Sequence, residues 1–170
     1  VVTLSQLYGP DTLAHVLKHS EAEIMITQDA AWERYRADIG AFPTLRQVIV
    51  VGATTGDELA FDDLLAVDPG EFTPTPTSSD DPALLMYTSG STGMPKGMLH
   101  GHRILQSYIP SLSFAFNLDR DDPDAVFWSP ADWAWVGGLS DMLLISWAFG
   151  HTVATSEYRF DAAWSFEFMA

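Results

Sequence analysis

Residues 87–97 read YTSGSTGMPKG, a run of glycines and small hydroxylated residues that closes on a proline and a single lysine. Glycine lets a backbone approach an anion closely and leaves its N–H groups free to converge on it. The hydroxyls of Thr88, Ser89, Ser91 and Thr92 add donors, and Lys96 adds a full positive charge. The composition is that of a loop that holds polyphosphate.

The surrounding charge pattern sharpens this reading. No lysine or arginine lies between Arg46 and Lys96, while acids accumulate at Asp57, Glu58, Asp62, Asp63, Asp68, Glu71, Asp80 and Asp81. A flexible Gly/Ser linker is the plain alternative. A linker, however, needs no apolar strand before it and no helix after it. Here Ala83, Leu84, Leu85 and Met86 lead in, and a helical pattern begins after His102. Spacing then excludes the two common phosphate loops. The pattern G-x-x-x-x-G-K-[ST], counted from Gly90, puts Pro95 where the second glycine belongs and Gly97 where Ser or Thr belongs. The intervals between Gly90, Gly93 and Gly97 also fail G-x-G-x-x-G.

Thr88 through Gly97 resemble, at every specified position, the [ST]-[ST]-G-[ST]-T-G-x-P-K-G signature of the adenylate-forming superfamily. That group includes acyl-CoA synthetases, the adenylation domains of peptide synthetases, and luciferases. Residues 129–138, SPADWAWVGG, are similar to the A-D-x-x-W-x-x-G segment of acetyl- and medium-chain acyl-CoA synthetases, with Asp132, Trp135 and Gly138 in register.

The resemblance implies a two-step ligation of a carboxylate to coenzyme A driven by ATP. Chemistry of this kind is mostly positioning and charge neutralisation. By the same resemblance, Thr88, Ser89, Gly90, Ser91, Thr92, Gly93 and Lys96 would hold the departing pyrophosphate. Thr88 would also help bind Mg²⁺ with a glutamate from later in the family's sequence, in keeping with that ion's preference for oxygen. Trp135, Gly137 and Gly138 would line the acyl pocket, the indole as a wall and the glycines leaving room for substrate. Core packing is the competing reading of the indoles, and for Trp133 it stands level with a pocket role.

Four histidines invite attention. His100 and His102 follow the loop and read either as neighbours of the phosphates or as hydrogen-bonded residues at a helix start. His15 and His19 lie four apart on an expected helix, yet without an acidic or cysteine partner in a metal-binding pattern they read as surface. Composition limits the rest. A hydrophobic fraction of 47% with 12% aromatic residues argues for a globular fold rather than disorder. The chain has no cysteine, so no disulfide or thiol chemistry arises, and a cytoplasmic location is expected. No apolar run approaches the about 20 residues of a membrane helix. A net charge of −15 opposes nucleic acid and anionic membrane as partners.

Short apolar runs alternate with helical periods along the chain, which predicts α/β architecture with mostly parallel sheet layers flanked by helices. Strands are expected at residues 1–4, 24–26, 47–51, 83–87, 125–128 and 152–155, with a short continuation near 98–99. Helices are expected from Pro10, over 32–39, 61–67, from about 103, over 138–149 and over 160–169, with Pro110 kinking or ending its helix. Residues 69–82, rich in Pro, Thr, Ser and Asp, read as a surface linker within one unit. Against the family, residues 1–170 correspond to an incomplete portion of the large N-terminal domain. The Y-G-x-T-E and T-G-D segments expected after the loop, and the C-terminal domain with its lysine, are not among these residues. Two readings follow: part of an acyl-CoA synthetase that is inactive alone, or a non-catalytic module that binds a phosphate-bearing ligand or a protein.

Overall fold

The computed structural model describes residues 1–42, 44–88, 93–115, 122–156, 158 and 160–170. Helix α1, Pro10–Ser20, starts where the sequence favours a start: Gly9 is extended, Pro10 occupies the first turn, and Asp11 sits at the positive end of the helix dipole. Lys18 and His19 occupy the last turn, and Glu21 closes it in the left-handed conformation at φ 52°. Its buried face is Leu13, Val16 and Leu17. Burying each such side chain contributes roughly 1.5–3 kcal/mol.

Strands β1 (Ile24–Gln28), β2 (Gln47–Val51) and β3 (Leu59–Ala60) form a parallel sheet in the order β1-β2-β3. Helix α2, Asp29–Tyr35, continues as a 3₁₀ turn over Arg36–Ala41. The crossover packs Trp32 against Val48 and Val50, the two buried positions of β2. A second cluster joins Leu13 and Leu17 of α1 to Met25, Tyr35 and Phe42. Helix α3 is the short Phe61–Leu65, and residues 69–81 follow it exposed and without helix or strand.

The third cluster is built on β4. Strand β4, Pro82–Thr88, pairs antiparallel with β5, Lys96–Gly101. Helix α4, Ile104–Ala115, covers them through Ile104, which meets Leu84, Met86, Leu139 and Leu143. Leu139 and Leu143 come from a π-helical stretch, Leu139–Leu144, set between α5 (Val136–Gly138) and α6 (Ile145–Ala148). Strands β6 (Val126–Phe127) and β7 (Thr152–Val153) pair in parallel, and α7, Ala162–Met169, ends the chain. The α/β class with parallel strand layers is therefore present.

Three expectations change. Residues 1–4 do not make a strand: only Val2 bridges Leu85, while the Val1 carbonyl accepts from the Leu85 N–H at 2.8 Å. The continuation near 98–99 is a full strand, so the loop joins two strands of a hairpin and α4 begins only after β5. Of the two effects expected of Pro110, kinking or ending its helix, the second does not occur, since Pro110 lies inside α4. The packing of Ile104, Leu105 and Tyr108 on the third cluster outweighs the missing proline N–H. Because Pro110 is exposed, Pro110→Ala restores a donor toward the Gln106 carbonyl without emptying the core. It should raise the urea midpoint, with a gain bounded by the about 3 kcal/mol helix penalty of proline; a lower midpoint would refute this account of α4.

Candidate functional site

The hairpin sets Thr88 directly opposite Lys96, and Tyr87 opposite Gly97. Thr88 and Lys96 are exposed, while Tyr87 is only 2% exposed. Gly97 is small for a reason: a Cβ there would meet Leu85 Cδ1 at 3.0 Å and the Tyr87 ring at 3.3 Å. Gly93 holds φ +149°, a conformation that side chains rarely adopt. Ser89, Gly90, Ser91 and Thr92 lie outside the described residues. Among the described residues Lys96 carries no ion pair, whereas Arg36, Arg46 and Arg103 face Glu33, Glu23 and Asp80.

His19 is exposed, as the surface reading expected, and His15 is half-buried, yet each has a specific partner. The His15 Nε2 lies 2.9 Å from the Pro95 carbonyl, and the His19 Nδ1 lies 2.7 Å from the Tyr87 hydroxyl. Their rings stack at 5.7 Å, and each meets the Tyr87 ring edge-on. The sequence signal was the four-residue spacing, which puts both on one helix face. His100, in β5, is half-buried and lines the cavity described below, and His102 is exposed beside Asp81, whose carboxyl is held below the usual range by the backbone N–H bond from Ser78.

A cavity of about 220 Å³ opens beside the hairpin, lined by Met86, Thr88, Met98, Tyr108 and Trp135 among others. The start of the first motif and the tryptophan of the second thus share one wall. Asp132 arranges this. Its carboxylate accepts from the Ser5 hydroxyl at 2.6 Å and from the Ala134 N–H at 2.8 Å, and its carbonyl accepts from the Trp135 N–H at 2.9 Å. Trp133 and Trp135 are 42% and 43% exposed, so neither is a core residue.

A profile of the AMP-binding enzymes matches residues 1–169. The chain belongs to that family. The chain is 34% identical over 152 residues to the acetyl-coenzyme A synthetase of Desulfatibacillum aliphaticivorans, covering 78% of this chain and 23% of that enzyme. It is 40% identical over 90 residues to the enzyme of the same name from Marinobacter nauticus, covering 53% of this chain and 14% of that enzyme. Its fold matches that of a benzoate CoA ligase from Burkholderia xenovorans with a TM-score of 0.77 at 23% identity, over 98% of this chain and 32% of the ligase. An acyl-CoA synthetase from Brucella canis gives the same TM-score at 21% identity, over 96% and 29%. The chain therefore spans a third or less of the length of each of these proteins. No helix among the described residues is long and apolar enough to cross a membrane.

The two glycines of the second motif differ physically. A Cβ on Gly138 would meet the backbone oxygens of Ala131 and Asp132 at 2.6 and 2.7 Å, so the helix start closes against the Asp132 turn only with glycine there. A Cβ on Gly137 meets nothing nearer than Asp141 Oδ2 at 3.9 Å. Gly138→Ala should cost about 1–3 kcal/mol of stability as an overpacking change, and Gly137→Ala should be neutral or slightly stabilising. Equal denaturation midpoints for the two variants would contradict this.

Burial pushes the Asp141 carboxyl above its ordinary range; burial, then the Asp141 charge, does the same to the Tyr108 phenol. A raised carboxyl binds its proton more tightly in the folded chain. Its stabilising share is complete below about pH 4 and is lost as pH rises through the raised value. Asp141→Asn should therefore gain in thermal midpoint over the wild type at pH 7, with the gap closing toward pH 4. A gap independent of pH rules out the burial effect.

Proposed function

We propose that this chain is the pyrophosphate-holding and acyl-contacting part of an ATP-dependent acyl-CoA synthetase. The observation that carries the reading is the shared cavity: Thr88, at the start of the phosphate-type loop, and Trp135, of the acyl-type segment, line one space. Family membership and the names of the relatives support it.

In the proposed reaction a carboxylate oxygen attacks the α-phosphorus of ATP. The bond to the bridging oxygen breaks, and pyrophosphate leaves. Coenzyme A sulfur then attacks the acyl carbonyl, and AMP departs. The Lys96 ammonium and the N–H and hydroxyl donors of Thr88, Ser89, Gly90, Ser91, Thr92 and Gly93 offset charge on the leaving pyrophosphate. Thr88, an exposed hydroxyl at the end of β4, fits one oxygen ligand of Mg²⁺, an ion that shields phosphate charge when bound. Trp135 forms an apolar wall, Gly137 leaves open space beside it, and Gly138 keeps the turn closed. The reading has the residues of this chain bind magnesium pyrophosphate.

Lys96→Ala tests the loop. Losing a charge-assisted hydrogen bond worth about 1.5–3 kcal/mol weakens magnesium pyrophosphate binding about 10- to 100-fold by calorimetry. Unchanged affinity would reject the loop assignment. ATP–pyrophosphate exchange with a panel of carboxylates tests the rest, and robust exchange by the isolated chain would show that the Y-G-x-T-E and later T-G-D segments are dispensable.

A further inference from the structure

We propose that His15 and His19 are positioning residues for the phosphate loop, a brace by which α1 holds the loop at both ends. The inference rests on the phosphate reading of that loop. Tyr87 precedes the loop and Pro95 follows its glycines, and each is held by one of two stacked imidazoles on consecutive turns of one helix.

The chemistry of each contact is defined. A carbonyl oxygen only accepts, so the His15 Nε2, 2.9 Å from the Pro95 oxygen, carries a proton and donates it. That carbonyl belongs to the peptide leading into Lys96, so the bond fixes the backbone from which the loop's one cationic side chain springs. At the other end, the Tyr87 hydroxyl is 2.7 Å from His19 Nδ1 and 3.5 Å from the Val16 carbonyl, which makes the imidazole its nearer partner. Tyr87 itself is buried beneath the hairpin.

A brace requires a rigid support. Leu13, Val16 and Leu17 bury the opposite side of α1, so the histidine face cannot move without opening the core. Hairpin pairing fixes the separation of Thr88 and Lys96, while the two imidazoles fix how the hairpin end is oriented against α1. Ligand-binding loops held in place before binding gain affinity because less ordering remains to be done.

The test compares magnesium pyrophosphate binding to the wild type, Lys96→Ala, His15→Phe and His15→Gln by calorimetry, at a temperature where circular dichroism shows each folded. Phenylalanine keeps the ring and removes the donor; glutamine places an amide N–H near the position of Nε2. The brace predicts an affinity about 3- to 10-fold weaker for His15→Phe, the scale of one neutral hydrogen bond, and recovery to within about twofold for His15→Gln. A purely structural role would instead make affinity follow the thermal midpoints, whichever variant is more stable.

If the wild type binds no pyrophosphate, or Lys96→Ala binds as well as the wild type, the phosphate reading falls and the brace with it. Binding lost in Lys96→Ala but retained in full by His15→Phe overturns the brace alone. Should His15→Phe not fold, the imidazole ¹⁵N resonances of the wild type decide. Both His15 and His19 should shift on titration with magnesium pyrophosphate, and unmoved resonances overturn the proposal.

Discussion

The antiparallel pairing of β4 with β5 fixes where Thr88 and Lys96 stand relative to each other. Pairing Thr88 with Lys96 and Tyr87 with Gly97 turns the glycine-rich stretch into the end of a hairpin. One face of that hairpin is buried through Leu84 and Met86 against Ile104, Leu139 and Leu143, which anchors it. The loop end stays at the surface, where Thr88 and Lys96 are exposed. The other edge of β4 is taken by the first residues of the chain: Val1 donates to the Ala83 carbonyl at 2.9 Å and its own carbonyl accepts from Leu85. The chain start therefore satisfies backbone groups of β4 that an edge strand would leave open.

The same N-terminal segment links the two motifs. Five residues along, the Ser5 hydroxyl donates to Asp132, the residue that shapes the turn from which Trp135 projects. Thr3 adds a longer contact to the Ala134 carbonyl at 3.5 Å. The position of Trp135 against Thr88 is thus set through β4, the chain start and Asp132 in series. Gly138 belongs to this linkage, because only a residue without Cβ lets α5 close on the Ala131 and Asp132 carbonyls. In the sequence reading the glycine made room for substrate; its nearest neighbours are backbone.

Elements with strong local signals were legible in the sequence. Gln47–Val51, a run of β-branched residues before Gly52, is a strand with the bounds its pattern suggests, and Pro10 with Asp11 does open α1. Elements that depend on distant partners were not legible. Lys96–Gly101 contains two glycines, a lysine and a histidine, and only its pairing with β4 makes it a strand. His15 and His19 show their shared helix face in the sequence, but their partners lie 80 and 68 residues away. The candidate site divides in the same way. Its two motifs could be read from residue identity and spacing, whereas their common cavity is a tertiary fact carried by Ser5 and Asp132, which no periodicity announces.

The hairpin also changes the electrostatic argument for phosphate. In loops that run straight into a helix, the helix N-terminus supplies partial positive charge to the anion. Here the glycine-rich stretch leads into β5, and α4 starts only at Ile104, so the N-terminus of α4 does not directly follow the loop. The chain as a whole carries a net charge of −15, which works against any polyanion at long range. Screening limits that repulsion to about 8 Å at physiological salt, so contacts at hydrogen-bond distance decide the outcome. Arg36, Arg46 and Arg103 already face carboxylates. On the proposed reading, attraction at the loop comes from its own N–H groups, its hydroxyls and Lys96. Directional donors of that kind lose strength steeply with misalignment, which is why the orientation of the hairpin end matters more here than it would at a helix terminus.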